Sequence, residues 1–153
     1  MASPTQTEPP SMVVRPGLRP RWRAEVASFA AAVQQRVARG RTFTVLLTDD
    51  AELRRLNRKF RGQDKATDVL SFPAVPTPGG PLGDIAISVD RAREQARGFG
   101  HTVANEVAIL LLHGVLHLIG MDHEADDGEM RAAESRWRKK FGLPNGLIER
   151  VSA

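Results

Sequence analysis

The chain contains no cysteine. Disulfides and thiolate metal sites are therefore excluded, and any metal must be held by nitrogen and oxygen ligands, unlike most structural fingers and ribbons. It also lacks a long apolar run: the longest, residues 107–112, falls far short of the ~20 residues that cross a membrane. No charged segment followed by an apolar one opens the sequence, so no secretory signal is expected, and the expectation is a soluble, cytoplasmic protein with no membrane partner. No internal repeat is visible, and no linker divides the chain. Its 153 residues suit one domain with a proper core.

Charge of one sign is in mild excess, with 22 Lys and Arg against 18 Asp and Glu and a net charge of +4. An excess of this kind favours a polyanionic partner such as RNA. A chain rich in arginine and alanine supports a compositional bias equally well, so charge alone does not assign nucleic acid. Half of the ten prolines, Pro4, Pro9, Pro10, Pro16 and Pro20, fall in residues 1–20. That stretch is expected to be a Pro-rich flexible tail, although part of residues 12–18 could pair as an edge strand, and residues 21–153 form the domain.

Past the tail, Trp22, Val26, Phe29, Ala30, Val33 and Val37 recur at helical spacing up to Gly40. Residues 42–48 are β-branched and apolar, hence a strand. Asp49 with Glu52 forms a capping-box pattern for a helix that ends at Gly62. Residues 68–72 and 84–88 read as two more strands, joined by the Pro/Gly-rich residues 73–83 as a long hairpin or crossover. Helices are expected over residues 89–97, 102–119 and 126–141. Strands mixed with several helices make an α+β or α/β domain.

The chemistry concentrates in H-G-V-L-H-L-I-G-M-D-H-E, residues 113–124. His113 and His117 are four apart, so a helix presents both on one face. Gly120 falls where a helix takes a left-handed terminal residue, so the chain can turn and return His123 as a third ligand. The surrounding helix is apolar almost all round, and two imidazoles placed there need polar partners. The three histidines are therefore expected to bind one transition-metal ion, with zinc first in mind and nickel, cobalt or copper also accepted by such a set. Three neutral ligands leave one tetrahedral position to water, whose pKa zinc lowers to roughly 7, which is the chemistry of a hydrolase. The remaining histidine, His101, is expected as a cap or surface residue.

The ligand spacing also matches the metzincin peptidases, in which a glutamate follows the first histidine as general base. Here that position is Gly114, which leaves metallopeptidase activity a minor alternative.

Three blocks together resemble the YbeY family of endoribonucleases, or rRNA maturation factors. They are Leu56 and Asn57 through Arg61 and Asp64 to T-D-V-L-S-F-P (residues 67–73); Leu82, Gly83, Asp84 and Ile85 with Ser88; and residues 113–124. The blocks run in the family's order over about residues 42–125. Ala66 stands where the family usually has proline, and residues 1–20 match nothing in the family core. The resemblance implies a single-domain α+β fold, with a small mixed sheet of about four strands packed with several helices and the metal site at the end of a buried helix. It implies zinc on His113, His117 and His123 and cleavage of single-stranded RNA. Small-subunit ribosomal RNA 3′-end maturation and ribosome quality control follow from it, with the ribosomal small subunit as partner and no DNA.

Arg61 matches the family's motif arginine and is expected to grip the scissile phosphate, with Arg58 and Lys59 as substrate-binding neighbours. The run Arg54, Arg55, Arg58, Lys59 and Lys65 reads equally as a solvated helix face. Asp68 and Asp84, also motif positions, are expected to anchor loops or to hydrogen-bond a ligand histidine. No residue stands out as general base, so attack by water and attack by the RNA 2′-hydroxyl both remain open. A ribosome-assembly factor that binds without much catalysis, its metal chiefly structural, is the rival of a different class.

Overall fold

The computed structural model describes residues 8–151; the first seven residues of the expected tail lie outside them. Ten elements follow in order: β1 (Ser11–Val14), α1 (Arg23–Arg36), β2 (Thr44–Thr48), α2 (Asp50–Arg61), β3 (Val69–Pro73), β4 (Gly83–Ser88), α3 (Val89–Phe99), α4 (Val103–Leu118), α5 (Glu129–Phe141) and α6 (Leu147–Val151). The four strands form one mixed sheet in the order β1-β2-β4-β3. β1 and β4 run parallel to β2, and only β3 is antiparallel. This is the expected α+β domain with a small mixed sheet.

β1 lies inside the stretch expected as a tail and takes the place of the edge strand expected within residues 12–18. Its valines suit a pleated surface, Met12 and Val14 pack on the core, and Pro10 and Pro16 bound it. α5 begins three residues later than expected. Asp126 is instead its anchor, with the carboxylate accepting from the Gly128 and Met130 backbone N–H groups at 2.9 and 3.0 Å. α6 was not anticipated from the sequence.

Strand periodicity sorts the sheet's side chains onto two faces. Val45, Leu47, Ile85 and Ile87 are wholly buried in the main core with α1 and α4. The intervening Leu46, Leu70, Phe72 and Ala86 meet Leu53 and Leu56 of α2 on the opposite face. α4 is therefore a central helix, buried without a break from Glu106 to Leu116, with its polar Glu106 and His113 side chains hydrogen-bonded. Each of its buried leucines and isoleucines contributes about 1.5–3 kcal/mol relative to an exposed side chain.

Residues 73–83 resolve as the hairpin alternative, since β3 and β4 are antiparallel. Gly83, from the L-G-D-I block, closes it with φ +140°, and a Cβ there would lie 2.2 Å from the Phe72 carbonyl oxygen. Only glycine fits. No single helix among the described residues is long and apolar enough to cross a membrane.

Candidate active site

The last turns of α4 carry His113 and His117 side by side, with their Nε2 atoms 3.1 Å apart. The helix ends in a Schellman motif, in which Gly120 N–H donates to the His117 carbonyl at 3.0 Å and Met121 N–H to the Leu116 carbonyl at 3.1 Å. Gly120 has φ +101°, and Met121 packs back on the core. The chain reverses and brings the His123 ring to 5.6 Å from both other rings. Asp122 holds the return through its carboxylate, which accepts the Glu124 N–H at 3.0 Å. One ring nitrogen from each histidine lies within 4.8 Å of the others. His113 is buried, His117 half-buried and His123 exposed, so the site opens from the core toward solvent.

Sequence reasoning missed the carboxylate that orients this cluster. Glu134 of α5 is fully buried, and its Oε2 lies 2.7 Å from His113 Nδ1. The carboxylate can only accept, so Nδ1 carries the hydrogen and the Nε2 lone pair faces the cluster. The available signal was a glutamate on the apolar stripe of α5, with Met130 and Ala133, where an unpartnered carboxylate would be costly. Asp68 and Asp84 do not fill this role. Asp68 is a loop anchor, accepting from Gln95 Nε2 at 3.2 Å while its carbonyl accepts from Ser88 N–H at 2.9 Å. Asp84 lies on the α2 side of the sheet, in a groove with Thr44, Leu46 and Phe60. His101 is not a surface residue either: its Nε2 lies 2.6 Å from Oε1 of the buried Glu106, and Thr102 is the helix cap.

Burial, followed by the neighbouring His113 and His123, holds the His117 pKa below its ordinary 6.5. The neutral imidazole, which is the metal-ligating form, is thereby favoured. Gly114 packs against the sheet beside the cluster. A Cβ there would meet the Ile85 side chain at 3.0 and 3.1 Å and Ser71 Oγ at 3.2 Å. The position that carries a catalytic glutamate in metzincins is here a close contact between helix and sheet.

The three histidines line a cleft of about 400 Å³ with Arg61, Ser71 and Asp122. Arg61 comes from α2, across the sheet, and reaches the free edge of β3, where its Nη2 donates to the Ser71 carbonyl at 3.2 Å. Ser71 Oγ in turn donates to the Gly114 carbonyl at 3.2 Å. One residue of β3 thus ties the arginine to the histidine helix. Arg58 and Lys59 do not line the cleft: Arg58 pairs with Asp64 at 3.7 Å and the Lys59 ammonium lies over Phe60. Arg54 pairs with Asp64 at 2.8 Å and Arg55 with Glu52 at 2.9 Å. These hydrogen-bonded arginines hold both carboxyls below their ordinary pKa values.

The family model described as Endoribonuclease YbeY matches residues 19–142. The chain belongs to the YbeY family. A YbeY endoribonuclease of Solibacter usitatus is 61% identical over 132 residues, covering 86% of this chain and 87% of that protein. One from Koribacter versatilis is 59% identical over 108 residues, with 71% and 70% covered. The solution structure of a Thermotoga maritima protein superposes with a TM-score of 0.59 at 28% identity, covering 86% of this chain and 89% of that one. YbeY membership makes an endoribonuclease role the frame in which this cleft is read.

Proposed function

We propose that the protein is a zinc-dependent endoribonuclease that cuts single-stranded RNA in the cleft between Arg61 and the three histidines. The observation that carries this reading is that one cleft brings together a guanidinium from α2 and three imidazoles from α4 and its return loop.

The donor set fits a metal ion. Two ligands on a tetrahedral zinc, each ~2.0–2.1 Å from it, stand about 3.3–3.4 Å apart. The two Nε2 atoms are 3.1 Å apart, with the His113 tautomer already set by Glu134. His113, His117 and His123 would hold the ion, and other divalent transition metals suit the same donors. Bound there, zinc supplies Lewis acidity that polarises a phosphoryl oxygen and acidifies water.

The chain's own residues do the rest. Arg61 commits one of its five N–H donors to the Ser71 carbonyl, which fixes the planar group at the cleft wall. The remaining donors suit the non-bridging oxygens of a phosphodiester and offset the charge that develops on them. Glu134 keeps the His113 ring from rotating. Ser71 holds the distance between the arginine and histidine sides. Attack by water or by the 2′-hydroxyl fits this arrangement equally, and product ends distinguish them, since the second route passes through a 2′,3′-cyclic phosphate.

The RNA acted on is ribosomal in this proposal: small-subunit rRNA 3′-end maturation and ribosome quality control, with the small subunit as partner and the cytoplasm as the compartment. The resemblance of the three motif blocks supports it. Incubating the zinc-loaded protein with single-stranded RNA and with casein tests the reaction class. Cleavage of RNA alone is expected; cleavage of casein alone contradicts the proposal. Position 114 supplies no glutamate for the peptidase reading, and a side chain there would crowd Ile85 and Ser71.

A further inference from the structure

We propose that the C-terminal residues 146–150 are a positioning element of the metal site, acting on His113 through Glu134. This rests on the metal reading of the three histidines given above. Glu134 is fully buried and uses both oxygens: Oε2 lies 2.7 Å from His113 Nδ1, and Oε1 accepts the Ile148 backbone N–H at 2.8 Å. The Ile148 N–H engages one oxygen and leaves the other to meet His113, so the two contacts together orient the carboxylate. Gly146 is what lets the chain come so close. A Cβ at that position would lie 2.3 Å from Glu134 Oε1 and 2.9 Å from its Cδ.

A second buried contact holds the segment down. Arg150 donates from Nη1 and Nη2 to the two oxygens of the wholly buried Glu106, each at 2.8 Å. Its guanidinium also lies over the Phe99 ring, 4.2 Å from the centroid, and its Nε donates to the Asn145 carbonyl at 3.1 Å. Glu106 sits near the start of α4, the helix whose far end carries His113 and His117. The C-terminal segment therefore grips α4 at one end and, through Glu134, a metal ligand at the other. It lies C-terminal to the stretch matched by the family model, which ends at residue 142. Glu134 and residues 146–150 touch no substrate; they act by orienting one imidazole.

The test is Gly146→Ala in the full-length protein. Gly146 has no positive φ, so the added methyl acts through Glu134 rather than through the backbone. Two readouts are taken. In metal-free protein, ¹⁵N NMR of His113 is expected to show the Nδ1–H tautomer in the wild type and a shift toward the other tautomer in the variant. In zinc competition against a chelator, the variant is expected to bind about 10–100-fold more weakly, the usual cost of disturbing the partner of a ligand histidine. Unchanged His113 tautomer and unchanged zinc affinity would overturn the proposal.

Glu134→Gln gives the same decision should Gly146→Ala fail to fold. Glutamine has one acceptor oxygen and cannot accept from both His113 and Ile148. A Glu134→Gln protein with the wild-type tautomer and affinity likewise overturns the inference. Failure of the wild type to take up zinc would count against the proposed function, while the tautomer readout still decides the role of residues 146–150.

Discussion

The two sides of the sheet treat their charged and polar groups in opposite ways. On the α4 side His113, Glu134 and Glu106 are buried and held by hydrogen bonds of 2.6–2.8 Å. On the α2 side the arginines are half-exposed and pair with carboxylates that also reach solvent, Asp64 half-exposed and Glu52 less so. Breaking a buried pair strands an uncompensated group, whereas an exposed pair trades protein contacts for water at little cost. Density of charge in the sequence is therefore a poor guide to where the chemistry is. The basic run of α2 contributes one residue, Arg61, to the cleft, and that is the one at the helix end which crosses the sheet edge.

The contrast is broken most severely by His117→Ala. The metal content should fall from one ion per chain to near none, RNA cleavage should drop to background, and circular dichroism should stay native. Loss of the fold together with the metal would instead favour the structural-metal, RNA-binding rival. Arg61→Ala comes next. Removing the group proposed to stabilise the developing charge should lower RNA cleavage by about 10²–10³-fold with zinc content unchanged. Arg58→Ala, three residues back by contrast, should leave the rate within a few-fold.

Gly114→Glu probes the α4 side through packing. Forcing a carboxylate between Ile85 and Ser71 should cost roughly 3 kcal/mol or more, lowering Tm by about 10 °C in a thermal melt, with no gain of casein cleavage. A smaller effect is expected from pH. The folded protein resists protonating His117, so the unfolded chain binds the extra proton, and stability of the metal-free protein should decline as pH falls below the ordinary value of 6.5. His117→Gln should flatten that part of the profile. The smallest change is expected for Arg54→Ala, whose pair with Asp64 is solvent-exposed: melting and cleavage should match the wild type.

What could be read from the sequence was mostly local. The apolar period of α4, the four-residue spacing of His113 and His117, and the glycine at 120 are each written within one or two helical turns. The Schellman turn follows from them directly. Arg61 was legible only through its motif, because nothing about a helix-end arginine says that it will cross a sheet edge to Ser71. Glu134 was not legible as the partner of His113. The two lie 21 residues apart, and their meeting depends on how α5 returns against α4. Of the carboxylates that could be seen, Asp68 precedes β3 and anchors a loop, and Asp84 lies within β4 on the α2 side of the sheet. β1 was partly hidden by its flanking prolines, and α6 by its five-residue length, too short to show a period.

The family resemblance and the geometry meet at one claim, that the histidine cluster is a metal centre on which RNA cleavage depends. The most direct measurement is metal content of the purified protein taken together with cleavage of single-stranded RNA before chelation, after chelation and after return of zinc. One ion per chain, loss of cleavage on its removal and recovery on its return is the predicted result. Full cleavage by protein verified to be metal-free would contradict it.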